Sequence, residues 1–134
     1  MIAFASMRTD IPAFYSQWLL KRMEEGEVMV RSPYGKNLVC SLDFNPQAID
    51  CLGICTKDPG KLIPHLSAFG NWNTLWHVTI TPYSREYEPG IQDKRSIVEA
   101  FRNLSLRVGK ARVVWRYDPV FLSPSFSLSS TKDW

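Results

Sequence analysis

The chain has 134 residues, of which 45% are hydrophobic and 22% charged, and its formal net charge is +3. This composition is typical of one globular domain and excludes an extended disordered chain, while the small net charge gives no argument for nucleic acid as a partner. No apolar run approaches the roughly 20 residues of a membrane span, and the first residues lack a signal-peptide pattern, so we expect a cytoplasmic protein that does not bind membranes.

In the first half of the chain, apolar runs alternate with an amphipathic segment. Residues 2–5 predict a first strand. Asp10 predicts a helix N-cap with Pro12 in the first turn, and apolar residues follow at spacings of three and four until Gly26 ends the helix. Residues 28–30 and 38–42 predict two strands around a turn at residues 32–35, and residues 51–55 predict another.

In the second half, residues 62–69 carry the apolar spacing of a second helix, and residues 75–81 are rich in strand-forming side chains. Asp93 caps a third helix, Gly109 ends it, and residues 112–115 predict a buried strand. This alternation is typical of βαβ units, so we predict an α/β fold with a mainly parallel sheet and flanking helices. Because a complete (β/α)₈ barrel needs about 250 residues, we expect a partial, TIM-barrel-like (β/α) barrel.

The end of the chain has a different composition. Residues 123–130 contain five serines and no helical period, and residues 130–133 (Ser-Thr-Lys-Asp) match a capping box. We therefore expect residues 1–122 to form the partial barrel domain. Residues 123–134 are expected to be a Ser-rich tail or the start of a truncated next element.

Polar side chains follow directly after most of the predicted strands. Ligands of parallel α/β folds bind at the carboxyl ends of the strands, which makes these residues the candidate ligand-binding set. The set is Arg8, Asp10, Arg31, Lys57, Thr81, Tyr83, Arg116 and Asp118. Converging cations suit a small anionic ligand such as a carboxylate or phosphate, and the other side chains can orient it by hydrogen bonds. Helix capping by Asp10 and ordinary ion pairs of the cations are the simpler alternatives, and no catalytic residue is assigned.

The cysteines and histidines form no metal-binding motif. Cys51 and Cys55 lack a third cysteine two residues further on, and Cys40 lies too far upstream. His65 and His77 have no second histidine at ligand spacing. We expect reduced, buried thiols and no metal or cofactor in this chain, and no phosphate-loop, dinucleotide-binding or hydrolase motif occurs.

Five segments in order resemble the family catalogued as domain of unknown function 1848, and the match runs from about residue 2 to residue 122. They are Arg-Thr-Asp-Ile-Pro-Ala-Phe-Tyr from Arg8, Val-Arg-Ser-Pro-Tyr from Val30, Thr-Lys-Asp-Pro from Thr56, Thr-Ile-Thr-Pro-Tyr from Thr79 with Glu88-Pro89 beyond it, and Trp-Arg-Tyr-Asp-Pro from Trp115. The resemblance implies a larger protein with a barrel-like α/β fold. It also implies a carboxyl-terminal cysteine cluster similar to the iron–sulfur site of radical S-adenosylmethionine enzymes.

The sequence departs from the family pattern at three points. Met7 stands where the family usually has a second arginine, Cys55 replaces a common aromatic residue, and the cysteine cluster is absent. The resemblance thus implies the amino-terminal half of a radical-SAM-like enzyme, inactive alone, with [4Fe–4S] and S-adenosylmethionine present only in a full-length protein. Two alternatives stay open: a non-catalytic α/β module that binds a small anion or a partner, and a truncated product that forms homo-oligomers through open sheet edges.

Overall fold

The computed structural model describes residues 1–32, 34–35, 37–91 and 93–120. Its strands are β1 (Ile2–Ala5), β2 (Glu27–Arg31), β3 (Val39–Asp43), β4 (Cys51–Thr56), β5 (Thr74–Thr79) and β6 (Val113–Arg116). Its helices are α1 (Ile11–Phe14), α2 (Ser16–Glu25) and α3 (Lys94–Val108), with 3₁₀ helices at Ile63–Phe69 and Lys110–Arg112. The predicted tail, residues 123–134, lies outside the described residues.

Four of the strands form one parallel sheet in the order β1-β4-β5-β6, with every neighbouring pair parallel. Strands β2 and β3 form a separate antiparallel hairpin, in which Glu27 pairs with Asp43 and Arg31 with Val39. The predicted α/β fold with a mainly parallel sheet and flanking helices is confirmed. The four strands follow chain order, as neighbouring strands of a (β/α) barrel do. Among the described residues β1 and β6 are the edge strands of this sheet.

The core lies on one face of the parallel sheet. Leu52 and Ile54 of β4 and Trp76 and Val78 of β5 point to this face and are completely buried. Apolar side chains from the helical segments complete the core: Leu19, Leu62, Leu66, Phe69, Ile97 and Leu104. Removal of this apolar surface from water is the main stabilising contribution to the fold. The opposite face of β1 is much less covered, since Phe4 is 49% exposed.

The first predicted helix begins and ends where the sequence indicates, but it is divided in two. The Asp10 carboxylate accepts a hydrogen bond from the backbone N–H of Ala13 at 3.0 Å, which caps α1. Tyr15, with φ −131° and ψ 30°, separates α1 from α2. Gly26 ends α2 with φ 74°, a left-handed conformation that glycine adopts at little cost. The break at Tyr15 allows α1 to contact β4 while α2 buries Leu19 in the core.

The second predicted helix is a 3₁₀ helix, Ile63–Phe69, with non-helical backbone angles at His65. Pro64 at its start has no N–H to donate, which weakens a regular α-helix there. The third helix is confirmed: the Asp93 carboxylate accepts from the N–H of Ser96, and Gly109 follows the last turn with φ 96°. No helix in the described ranges is long and apolar enough to cross a membrane.

Candidate functional site

The carboxyl ends of all four parallel strands meet at one edge of the sheet. Seven of the eight candidate residues belong to the segments that leave or end these strands: Arg8, Asp10, Lys57, Thr81, Tyr83, Arg116 and Asp118. Arg31 is the exception, because it is the last residue of β2 in the separate hairpin. We call the segments after β1, β4, β5 and β6 the carboxyl edge.

Asp10 connects the segment after β1 to the end of β4. One carboxylate oxygen accepts from the Thr56 hydroxyl at 2.8 Å as well as from the helix N–H of Ala13, and the other accepts from the backbone N–H of Lys57 at 2.7 Å. Both oxygens are therefore engaged within the protein. Asp10 therefore caps α1, which was the simpler alternative, and it also links the segment after β1 to the end of β4.

Glu88 gathers three side chains at the carboxyl edge. Its carboxylate receives the ammonium groups of Lys57 and Lys94 as ion pairs, and it accepts from the Thr81 hydroxyl at 2.7 Å. The Glu88 side chain is only 10% exposed. Burial disfavours its ionised form, but the hydrogen bonds from Lys57, Lys94 and Thr81 outweigh burial and hold the pKa of Glu88 below its ordinary value. These four residues, the Glu88 cluster, contain two cations and one anion.

Glu88 and Lys94 were not among the residues chosen from the sequence. Glu88 follows β5 by nine positions, counted from Thr79, and Lys94 opens α3. The only sequence signal for Glu88 was its place in the Glu-Pro pair of the family resemblance. Lys94 gave no signal, because its contact depends on how the connection after β5 folds back.

The β5–β6 end of the carboxyl edge is held by aromatic side chains. The Tyr83 hydroxyl donates to the carbonyl oxygen of Pro119 at 2.8 Å, and the Trp115 indole N–H donates to the carbonyl oxygen of Ile80 at 3.0 Å. Burial raises the pKa of the Tyr117 phenol, and the neighbouring Tyr83 adds to this effect. These contacts give Tyr83 a structural position between β5 and the segment after β6.

The cationic candidates divide into two groups. Lys57 is paired with Glu88, and Arg116 is paired with Asp118. Arg8 and Arg31 have no carboxylate partner among the residues that the structure describes. Both line one groove between β1 and the β2–β3 hairpin. Arg31 thus lies with Arg8, although it belongs to the other sheet.

The three cysteines do not come together. Cys51 and Cys55 lie on β4, whereas Cys40 lies on β3 of the hairpin, and all three are free thiols. The expectation of buried thiols was wrong for Cys40, which is exposed because β3 lies outside the core, and the two others are only partly buried. His77 pairs in register with Cys55, but no group of three His, Cys, Asp or Glu side chains within the described ranges can hold a metal ion. These cysteines do not fit a [4Fe–4S] cluster, which requires converging thiolates.

Together, the parallel sheet and its flanking helices define an α/β protein, a class whose ligands commonly bind at the carboxyl ends of the strands. The chain belongs to the family described as Domain of unknown function (DUF1848), whose model matches residues 2–134. The resemblance drawn from five sequence segments is thereby confirmed. Neither the curated proteins nor the solved structures gave a match to the chain.

Proposed function

We propose that this domain binds a small anionic ligand, such as a carboxylate or phosphate, in the groove between β1 and the β2–β3 hairpin, beside the carboxyl edge of its parallel sheet, with Arg8 and Arg31 as the primary contacts. One observation carries the proposal: these two arginines line the same groove and lack carboxylate partners among the described residues. Arginine suits this role because its planar group donates two parallel hydrogen bonds to a carboxylate or phosphate.

The Glu88 cluster supports the same proposal in a secondary way. Its two ammonium groups share one carboxylate, so the cluster retains one positive charge at the carboxyl edge. That charge adds to the local potential and attracts an anion toward the edge. Lys57 has the more exposed side chain of the two lysines.

The remaining candidates have a positioning role in this proposal. Asp10, Thr81 and Tyr83 already use their polar atoms in contacts between loops, and Asp118 is paired with Arg116. They therefore hold the connecting segments in place rather than meeting the ligand. Radical-SAM-like chemistry is proposed only for a longer protein that supplies the cysteine cluster, and no step in this chain depends on it.

The test is calorimetric titration of the protein with phosphate and with acetate at low and high salt. Arg8→Ala and Arg31→Ala should each weaken binding roughly ten- to a hundredfold, since hydrogen bonds to charged groups contribute about 1.5–3 kcal/mol. Arg102→Ala, which removes an exposed arginine on α3, is the matched control and should leave binding unchanged. If Lys57→Ala abolishes binding while both groove arginine variants bind normally, the proposed contacts are wrong.

A further inference from the structure

The groove between β1 and the β2–β3 hairpin has an apolar lining in addition to its two arginines. It has a volume of about 480 Å³ and is lined by β1, β2 and side chains from α2, β3 and β4. Its floor consists of core side chains: Leu19, Phe44, Ile49 and Leu52. Sites for small molecules commonly have volumes of about 300–1,000 Å³, a mostly apolar lining and a few polar groups that fix orientation. The groove has each of these properties.

Apolar side chains on the walls of the groove are unusually exposed. Ile2 is 67% exposed, Met29 69% and Met7 77%, and all three line it. Exposed apolar residues that occur singly need no explanation, but several that line one concave space favour a binding site. An apolar ligand group that covered these side chains would gain the free energy of their removal from water.

The two ends of β1 differ in charge. At its start, the amino group of Met1 is paired with Asp50, so this charge is neutralised. Beyond its carboxyl end, Arg8 has no carboxylate partner in the described part of the chain, and Arg31 on the opposite wall is in the same situation. The groove therefore combines an apolar body with two arginines that have no carboxylate partner within the described ranges.

We infer that this groove binds a monomeric amphiphile: an unbranched apolar chain that ends in a carboxylate or phosphate. The inference rests on the proposed anion site and adds the apolar part of its ligand. The anionic group meets Arg8 and Arg31, and the chain lies between β1 and Met29 and reaches the floor at Leu52.

A second copy of this chain is the competing occupant, because β1 is an edge strand that can pair with another strand. Strand pairing uses backbone groups along an edge and requires neither a concave apolar floor nor two cations beside it. The groove has a floor of this kind and two arginines that lack carboxylate partners among the residues described, which favours the amphiphile.

The experiment titrates the protein with acetate, hexanoate, decanoate and neutral decanol, each below its aggregation concentration. Burial of each methylene should strengthen binding roughly threefold to fourfold, so decanoate should bind on the order of a hundredfold more tightly than hexanoate. The double variant Arg8→Ala with Arg31→Ala should weaken decanoate binding and leave decanol binding unchanged. Met29→Asp should remove the dependence on chain length. The matched control Leu106→Asp, at a position 86% exposed on α3, should retain it.

Each other outcome has a defined meaning. Acetate and phosphate binding with no dependence on chain length would overturn the amphiphile but leave the anion site standing, whereas no binding of any probe would overturn both. Light scattering that detects a dimer, dissociated by Ile2→Asp but unaffected by decanoate, would identify a second copy as the occupant and overturn the inference. Binding to anionic phospholipid vesicles without binding to monomeric decanoate would also overturn the inference.

Discussion

Replacing Asp10 by alanine should destabilise the protein through loss of the link between β1 and β4. The substitution removes three hydrogen bonds to one carboxylate: from the N–H of Ala13, from the Thr56 hydroxyl and from the N–H of Lys57. Loss of an N-cap costs about 0.5–2 kcal/mol, and an unsatisfied buried polar group costs about 1–3 kcal/mol. Thr56 is buried, so its hydroxyl cannot turn fully to water.

These contributions share one side chain and do not add fully, so we expect a loss of about 2–4 kcal/mol from a typical total of about 5–15 kcal/mol. Urea denaturation followed by tryptophan fluorescence measures this difference. Asp10→Asn should be intermediate, because the amide keeps one acceptor but presents an N–H group to the N–H of Lys57.

Asp93→Ala is the matched control, because Asp93 is exposed and caps α3 through a single hydrogen bond of 3.4 Å. It should cost about 0.5–1 kcal/mol. If Asp10→Ala costs no more than Asp93→Ala, the cross-strand role of Asp10 is refuted. A double-mutant cycle with Thr56→Val isolates the bond between the two side chains, and a coupling energy near zero would contradict the reasoning as well.

Three further outcomes are expected. The pKa of Glu88 is held below its ordinary value of 4.5, so its ion pairs stabilise the native state above that pH and this stabilisation is lost as the pH falls through the lowered pKa. Urea titrations should therefore record a smaller acid-induced loss of unfolding free energy in Glu88→Gln than in the parent protein. Leu104→Ala, at a completely buried position on α3, should cost about 2–5 kcal/mol in the same titration. Gly26→Ala should lower thermal stability in a calorimetric scan by about 1–2 kcal/mol, because alanine is strained at φ 74°, and an unchanged midpoint would contradict this.

The strands were predictable because their signal is local. Continuous apolar runs such as residues 51–55 are long enough to identify a buried strand, and helices between them imply parallel pairing. The helix caps Asp10 and Asp93 and the terminating Gly26 were predictable for the same reason, since each acts within one turn. The break at Tyr15 could not be predicted, because the apolar spacing continues across it and the break depends on contacts with β4.

The candidate site was predictable only in part. Position after a strand identified Lys57 and Thr81, but their shared partner Glu88 lies 31 residues from Lys57 and seven from Thr81. Such contacts depend on the path of a connecting segment, which has no periodic pattern. Arg31 illustrates the converse: its strand belongs to another sheet, yet its side chain borders the groove with Arg8. The cytoplasmic location and self-association through sheet edges stay predictions.

The strand order of the parallel sheet has a consequence for how the chain folds. Strands β4 and β5 are the central pair, are joined by the shortest connection between neighbouring strands of the sheet, and contribute four of the completely buried side chains of the core. Short loops close with less loss of entropy, so this pair should nucleate first, with β6 added after α3 has formed. The connection between β1 and β4 is the longest of the three and contains the whole β2–β3 hairpin, so β1 should pair with β4 later. We therefore expect β1 to dock last and to open first in local unfolding, so a ligand that covers β1 in the groove should stabilise the part of the sheet that opens most readily.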